Sequence, residues 1–177
     1  FFVFANIMEA HQPHECRISY ENPGTVPRSW DSSEQFYGKK WGINLSGPEN
    51  HSTYLKRYRA LYAASIEYMD RVISDMVSRV NEATSRPTTY VVTADHGENL
   101  GYPSEENLFE HTSSLSEGIL HVPLNIINSS IDTESLDYNK HFSHLDLGEL
   151  LVALHRGANK FEVNRQPVAE SIGISPG

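Results

Sequence analysis

Cysteine is all but missing: Cys16 stands alone among 177 residues, so no disulfide can form within the chain and the redox compartment stays open. No run approaches the ~20 apolar residues that a membrane-spanning helix needs, so no transmembrane segment is expected. Positive charge is scarce too. Lys and Arg total 14 against 23 Asp and Glu, a formal net charge of −9. A diffuse nucleic-acid surface requires clustered positive charge, so no nucleic-acid partner is expected. Internal repeats and low-complexity tracts are absent, and a hydrophobic share of 38% with 21% charged residues excludes a disordered or fibrous chain. What is left is an acidic globular protein of about one domain, long enough to bury a core. Sequons at Asn44, Asn50 and Asn128 would matter only in a secretory pathway.

The pattern along the chain alternates strand and helix. Phe1-Phe2-Val3-Phe4-Ala5-Asn6-Ile7-Met8 is a dense apolar run that reads as a buried central strand of a parallel sheet, entered partway through. A chain starting inside such a strand is expected to be a fragment. From Gln12 to Asn50 runs an irregular stretch with Pro13, Pro23, Pro27 and Pro48, longer than ordinary connections. Its aromatics Tyr20, Trp30, Phe36, Tyr37 and Trp41 either anchor the stretch on the body or line a substrate site. Tyr54, Tyr58, Leu61, Tyr62, Ser65, Ile66, Met69, Ile73, Met76, Val77 and Val80 recur at three- and four-residue spacing and predict a helix from about Ser52 to Glu82. A strand over Thr88–Val92 follows Pro87. Ser114 and Glu117 have capping-box spacing for a short helix, and Leu124–Ile127 reads as a short strand. Ser143-His144-Leu145-Asp146 has an N-cap pattern, continued by Leu147, Leu150, Leu151 and Leu154 as an amphipathic helix. Beyond Gly157 the pattern fades, so residues 159–177 are expected to form a loosely ordered tail.

The most telling residues are Thr93-Ala94-Asp95-His96-Gly97-Glu98, directly after the apolar strand. Open α/β sheets bind ligands at the carboxyl ends of their strands, and a carboxylate beside an imidazole there suits a metal site. Neighbouring side chains on a strand point to opposite faces, so Asp95 and His96 can share a ligand only where the chain turns. Gly97 would permit that turn through backbone angles other residues avoid. The bland alternative is an Asp capping the next turn beside an exposed His. His11 ends the first apolar run, and if the two strands are parallel neighbours it faces the same crevice as His96; His14 competes for that role. His111 closes the loop after the Asp-His-Gly turn. His121 lies in an apolar run and reads as a core residue, while His51, His141, His144 and His155 carry no positional signal.

Four segments in order, Phe4-Ala5-Asn6-Ile7-Met8-Glu9-Ala10-His11-Gln12-Pro13, the tyrosine-rich helix, Val92-Thr93-Ala94-Asp95-His96-Gly97-Glu98 and His121-Val122-Pro123-Leu124, resemble the sulfatase family of the alkaline phosphatase superfamily. The resemblance covers about Phe1 to Ala158, with Ser143-His144-Leu145-Asp146-Leu147 similar to the family's last domain helix. It implies an α/β fold: a mixed, largely parallel sheet flanked by helices, with residues 1–158 part of a catalytic domain lacking its amino-terminal portion. It further implies metal-dependent hydrolysis of sulfate esters, acting on a sulfated small molecule or carbohydrate. By position Asp95 and His96 would be metal ligands, and His11 would bind a sulfate oxygen or the leaving oxygen. Where many members carry a lysine this chain has Thr112, with His111 beside it as the substitute donor. Glu117 matches a common acidic position.

The resemblance implies a divalent cation, with Ca2+ first and Mn2+, Mg2+ or Zn2+ open because an imidazole is softer than calcium prefers. The family's Cys- or Ser-x-Pro-x-Arg nucleophile signature is not in this sequence: Cys16 precedes Arg17-Ile18-Ser19, and Pro27-Arg28 follow Thr25. The nucleophile and half of the metal shell are therefore expected in upstream sequence, and the fragment alone is expected to be inactive. Phosphodiesterases and phosphoethanolamine transferases of the same superfamily are the enzymatic alternative, and a degenerate, non-catalytic member is the other.

Overall fold

The computed structural model describes residues 2–11, 52–102, 108, 111, 115–132 and 141–163. Among these residues five elements follow in order: α1 (Ser52–Ala83), β1 (Tyr90–Thr93), α2 (Glu117–Leu120), β2 (Leu124–Ile127) and α3 (His144–His155). No helix among the described residues is long and apolar enough to cross a membrane.

The long α1 forms where its periodicity predicts. Leu55, Tyr58, Leu61 and Ser65, spaced three and four apart, are its buried face. The stripe does not stay buried along its whole length, since Ile66 and Met76 are exposed. Burial thus concentrates in the amino-terminal half, beside the loop that follows β1.

The sheet of the described residues is β1 and β2, paired antiparallel with Tyr90 opposite Ile127 and Thr93 opposite Leu124. A mixed, largely parallel sheet was expected; the one described pair is antiparallel, which a mixed sheet can include. The cause lies in the connection. Gly97 N–H donates to the Ile119 carbonyl at 2.8 Å, which folds the chain back beside the carboxyl end of β1. A connection that returns to the same end feeds an antiparallel neighbour, not a parallel crossover. Along β2, Leu124 and Ile126 are half-buried while Asn125 and Ile127 are exposed, the alternation of a sheet with one wet face.

Over residues 2–8 the expected strand does not form. Residues 2–8 have no regular secondary structure, and Phe2, Val3 and Phe4 are exposed. An apolar run supplies the side chains of a buried strand but not the neighbour it must bond to, and the two described strands bond to each other.

The short helix α2 begins two residues later than the Ser114 cap implies. Its N-cap is Ser116, whose hydroxyl makes no cap bond; Ser114 lies outside the described residues. In α3 the predicted cap is present. Ser143 Oγ accepts from Leu145 N–H at 3.3 Å, and Ser143 N–H donates to Asp146 Oδ2 at 3.2 Å. The helix ends on Gly157 at φ +71°, with Gly157 N–H on Leu154 O and Ala158 N–H on Ala153 O, both at 3.0 Å. That left-handed residue with its paired return bonds is a Schellman ending, a conformation glycine adopts without strain. Past it the chain is held: Asp132 N–H donates to Asn159 O at 2.9 Å, and the Phe142 and Phe161 rings lie 6.2 Å apart. The rest of the expected tail, 164–177, lies outside the described residues, as does the 12–50 stretch.

Candidate functional site

The site grows from the end of β1. After Thr93 the ladder stops, and Asp95 turns to solvent with its side chain 92% exposed. Asp95 Oδ1 accepts the His96 backbone N–H at 3.0 Å, which fixes the carboxylate against its neighbour. His96 Nδ1 lies 2.8 Å from the Gly97 carbonyl oxygen. A carbonyl only accepts, so Nδ1 carries the proton and Nε2 is left with the lone pair in the neutral ring. Nε2 stands 4.0 Å from Asp95 Oδ2. An acid and an imidazole nitrogen therefore converge on one exposed turn.

Gly97 is required here for room rather than for unusual backbone angles. Its φ is not positive, but a Cβ on it would run into the Gly118 carbonyl oxygen. The turn and the α2 backbone are in direct contact, and only a residue without a side chain fits between them.

Behind the turn the chain dives inward. The Glu98 side chain is 8% exposed, and burial pushes its carboxyl above the usual range. Opposing that push are a hydrogen bond and charge from His111, a hydrogen bond from the fully buried Tyr58 hydroxyl, and the charge of His96. Asn99 is buried next to it and accepts a short hydrogen bond from the Ser116 hydroxyl. Arg59 then holds the next two carbonyls, donating from Nε to Leu100 O and from Nη2 to Gly101 O, each at 2.8 Å. Its guanidinium lies 3.9 Å from the centre of the Tyr102 ring. Consecutive residues of α1, Tyr58 and Arg59, thus clamp the loop from Glu98 to Gly101.

Three imidazoles line up beside this buried acid. His111 Nδ1 is 2.9 Å from Glu98 Oε2. The His111 ring centre is 4.4 Å from that of His96, with planes inclined by 31°, and 6.3 Å from that of His11 at 54°. His11 and His96 were expected to meet at the ends of parallel strands. Instead His11 arrives on a segment without strand structure, and His111 stands next to both. His14, His51 and Thr112 lie outside the described residues. His121 is not a core residue: its side chain is 79% exposed and pairs with Glu117 one turn earlier at 3.3 Å. His144, given no role from sequence, has Nε2 3.5 Å from Thr93 Oγ1.

The donor set at Asp95 and His96 is chemically suited to a divalent cation, since one ligand is a hard oxygen and the other an imidazole oriented by a backbone carbonyl. Among the described residues no group of three His, Cys, Asp or Glu forms a fuller shell. Sequence reasoning passed over Glu98, Tyr58, Arg59, Asn99 and Ser116. Glu98 was in view inside the Asp-His-Gly-Glu run, whereas Tyr58 was hidden in an apolar stripe that accounts for a tyrosine without any polar partner.

A family model described as Sulfatase matches residues 1–156. No curated protein and no solved structure matches the chain. The family match spans most of the 177 residues, and the chain belongs to the sulfatase family.

Proposed function

We propose that this sulfatase-family chain carries the cation- and sulfate-binding edge of a metal-dependent sulfate ester hydrolase acting on a sulfated small molecule or carbohydrate. Asp95 and His96 are the proposed cation ligands. The observation that carries this is the 4.0 Å approach of Asp95 Oδ2 to His96 Nε2, with His96 Nδ1 engaged by the Gly97 carbonyl. A protonated Nδ1 bound to a carbonyl is the usual device that aims the opposite nitrogen of a ligating histidine. Calcium is the first choice of ion, with manganese, magnesium and zinc compatible with the imidazole. When bound, the cation would act as a Lewis acid on the sulfate oxygens.

The imidazoles supply the rest. His111 and His11 are proposed to donate hydrogen bonds to sulfate oxygens, where charge grows as the ester bond breaks, or to protonate the departing alkoxide. Their rings, 6.3 Å apart, could engage two different oxygens of one sulfate ester. The chain has no Cys- or Ser-x-Pro-x-Arg sequence, so no residue in it is assigned as nucleophile.

The test is calcium titration of the intact parent protein by calorimetry, alongside its turnover of 4-nitrophenyl sulfate and 4-nitrophenyl phosphate. Asp95→Ala should weaken the cation at least about tenfold, the least that losing even an orienting group does at such sites. Undiminished calcium binding would remove Asp95 from the shell, and preference for the phosphate ester would point to a phosphodiesterase-type enzyme.

A further inference from the structure

We infer that Glu98 is a positioning residue that sets the tautomer and direction of His111, so that His111 presents Nε2 to the substrate. The chemical part of this inference rests on the proposed sulfatase function; the geometric part does not. An ionised carboxylate only accepts hydrogen bonds, so the 2.9 Å contact between Glu98 Oε2 and His111 Nδ1 requires the proton on Nδ1. The two nitrogens of an imidazole diverge across the ring, and anchoring Nδ1 on Glu98 turns Nε2 away from it. The pair is largely out of water, with Glu98 8% and His111 23% exposed, where a charge-assisted bond holds its geometry best.

The acid is itself held from behind. The Tyr58 hydroxyl, on the buried face of α1, bonds the Glu98 carboxylate, and Tyr58 is fully buried. Tyr58, Glu98 and His111 thus form a chain of hydrogen bonds from the core to the His111 ring, whose centre lies 4.4 Å from that of His96. Glu98 differs sharply from Asp95 three residues earlier: one carboxylate is sunk against a tyrosine, the other 92% exposed. That contrast assigns Glu98 to orienting a neighbour and Asp95 to meeting an ion. It is the arrangement by which an acid commonly fixes the ring of a catalytic or ligating histidine.

The experiment labels the full chain with 15N-histidine and reads the His111 tautomer by NMR at about pH 8.5, where an ordinary imidazole is neutral. Wild type should show His111 protonated on Nδ1. Glu98→Gln keeps an acceptor oxygen and should keep that tautomer, whereas Glu98→Leu should release the ring to the Nε2–H form that free histidine prefers. In the intact parent protein acting on 4-nitrophenyl sulfate, Glu98→Leu should lower kcat about 10–100-fold with KM little changed, and Glu98→Gln should recover part of the loss. A wild-type His111 protonated on Nε2, or a folded Glu98→Leu protein with an unchanged tautomer, overturns the inference. An intact parent protein that leaves the sulfate ester untouched refutes the proposed function instead, while the tautomer still decides the role of Glu98. If Glu98→Leu fails to fold, the wild-type tautomer and Glu98→Gln carry the decision.

Discussion

Gly97→Ala tests how tightly the Asp-His-Gly turn is seated on α2. A Cβ at Gly97 overlaps the Gly118 carbonyl oxygen and comes within 3.1 Å of its carbon and 3.4 Å of Ile119 O. All three atoms are backbone, so no rotamer change relieves the overlap, and the two segments must part by on the order of 1 Å at a cost of about 1–3 kcal/mol. Parting them also stretches the 2.8 Å bond from Gly97 N–H to Ile119 O, worth about 1 kcal/mol. For a chain of this size each kcal/mol lowers Tm by roughly 2–4 °C, so a total loss of about 1–4 kcal/mol should lower it by about 2–16 °C. Because the same shift moves His96, turnover of 4-nitrophenyl sulfate by the intact parent protein should drop about 100-fold. Gly148 supplies the internal control. It lies inside α3 with nothing within 4 Å of a built Cβ, so Gly148→Ala should raise stability by about 0.5–1 kcal/mol. Thermal melts of both variants decide the matter: a Gly97→Ala protein that melts and turns over like wild type would show that the turn is not pressed against α2.

Ser143→Ala removes the hydroxyl that receives Leu145 N–H and should destabilise the protein by ~1 kcal/mol, measured by urea denaturation. The pH dependence of Glu98 has a definite sign. Its carboxyl is raised by burial from the ordinary 4.5, so the folded state holds the proton more firmly than the unfolded one. The stability from that protonation is complete below 4.5 and declines as pH rises through the raised folded value. Melts of metal-free wild type and Glu98→Gln should show their Tm difference moving against wild type over that window and levelling off above it. A difference independent of pH would contradict the burial of this acid.

Legibility in the sequence followed the range of each interaction. The span of α1 and the Ser143–Asp146 cap of α3 depend on residues within a turn or two of one another, and both were readable. The short strands Tyr90–Thr93 and Leu124–Ile127 were readable as apolar runs, but their antiparallel pairing was not, since it joins residues more than thirty apart in the chain. Phe2, Val3 and Phe4 show the same limit: hydrophobic patterning reports what a segment could bury, not whether a partner strand is beside it. Asp95, His96, His11 and His111 stood out by chemistry and by position at segment ends. Glu98 and Tyr58 did not, because their contact joins residues forty apart and either residue has an ordinary local explanation.

Helix α1 touches the β1 segment at two widely separated points. Tyr58 and Arg59 grip the loop beyond the strand, and near the other end Asn81 receives the hydroxyl of Tyr90, at the strand's first residue, at 2.7 Å. The helix is therefore a splint laid along the strand, its fastenings roughly 35 Å apart at 1.5 Å per residue. A splint fastened twice has no freedom of length. One residue inserted or deleted between Arg59 and Val77 would swing one fastening about 100° around the axis relative to the other. Both cannot then be kept without unwinding a turn, so related chains should vary freely in what α1 shows to solvent and hardly at all in its residue count.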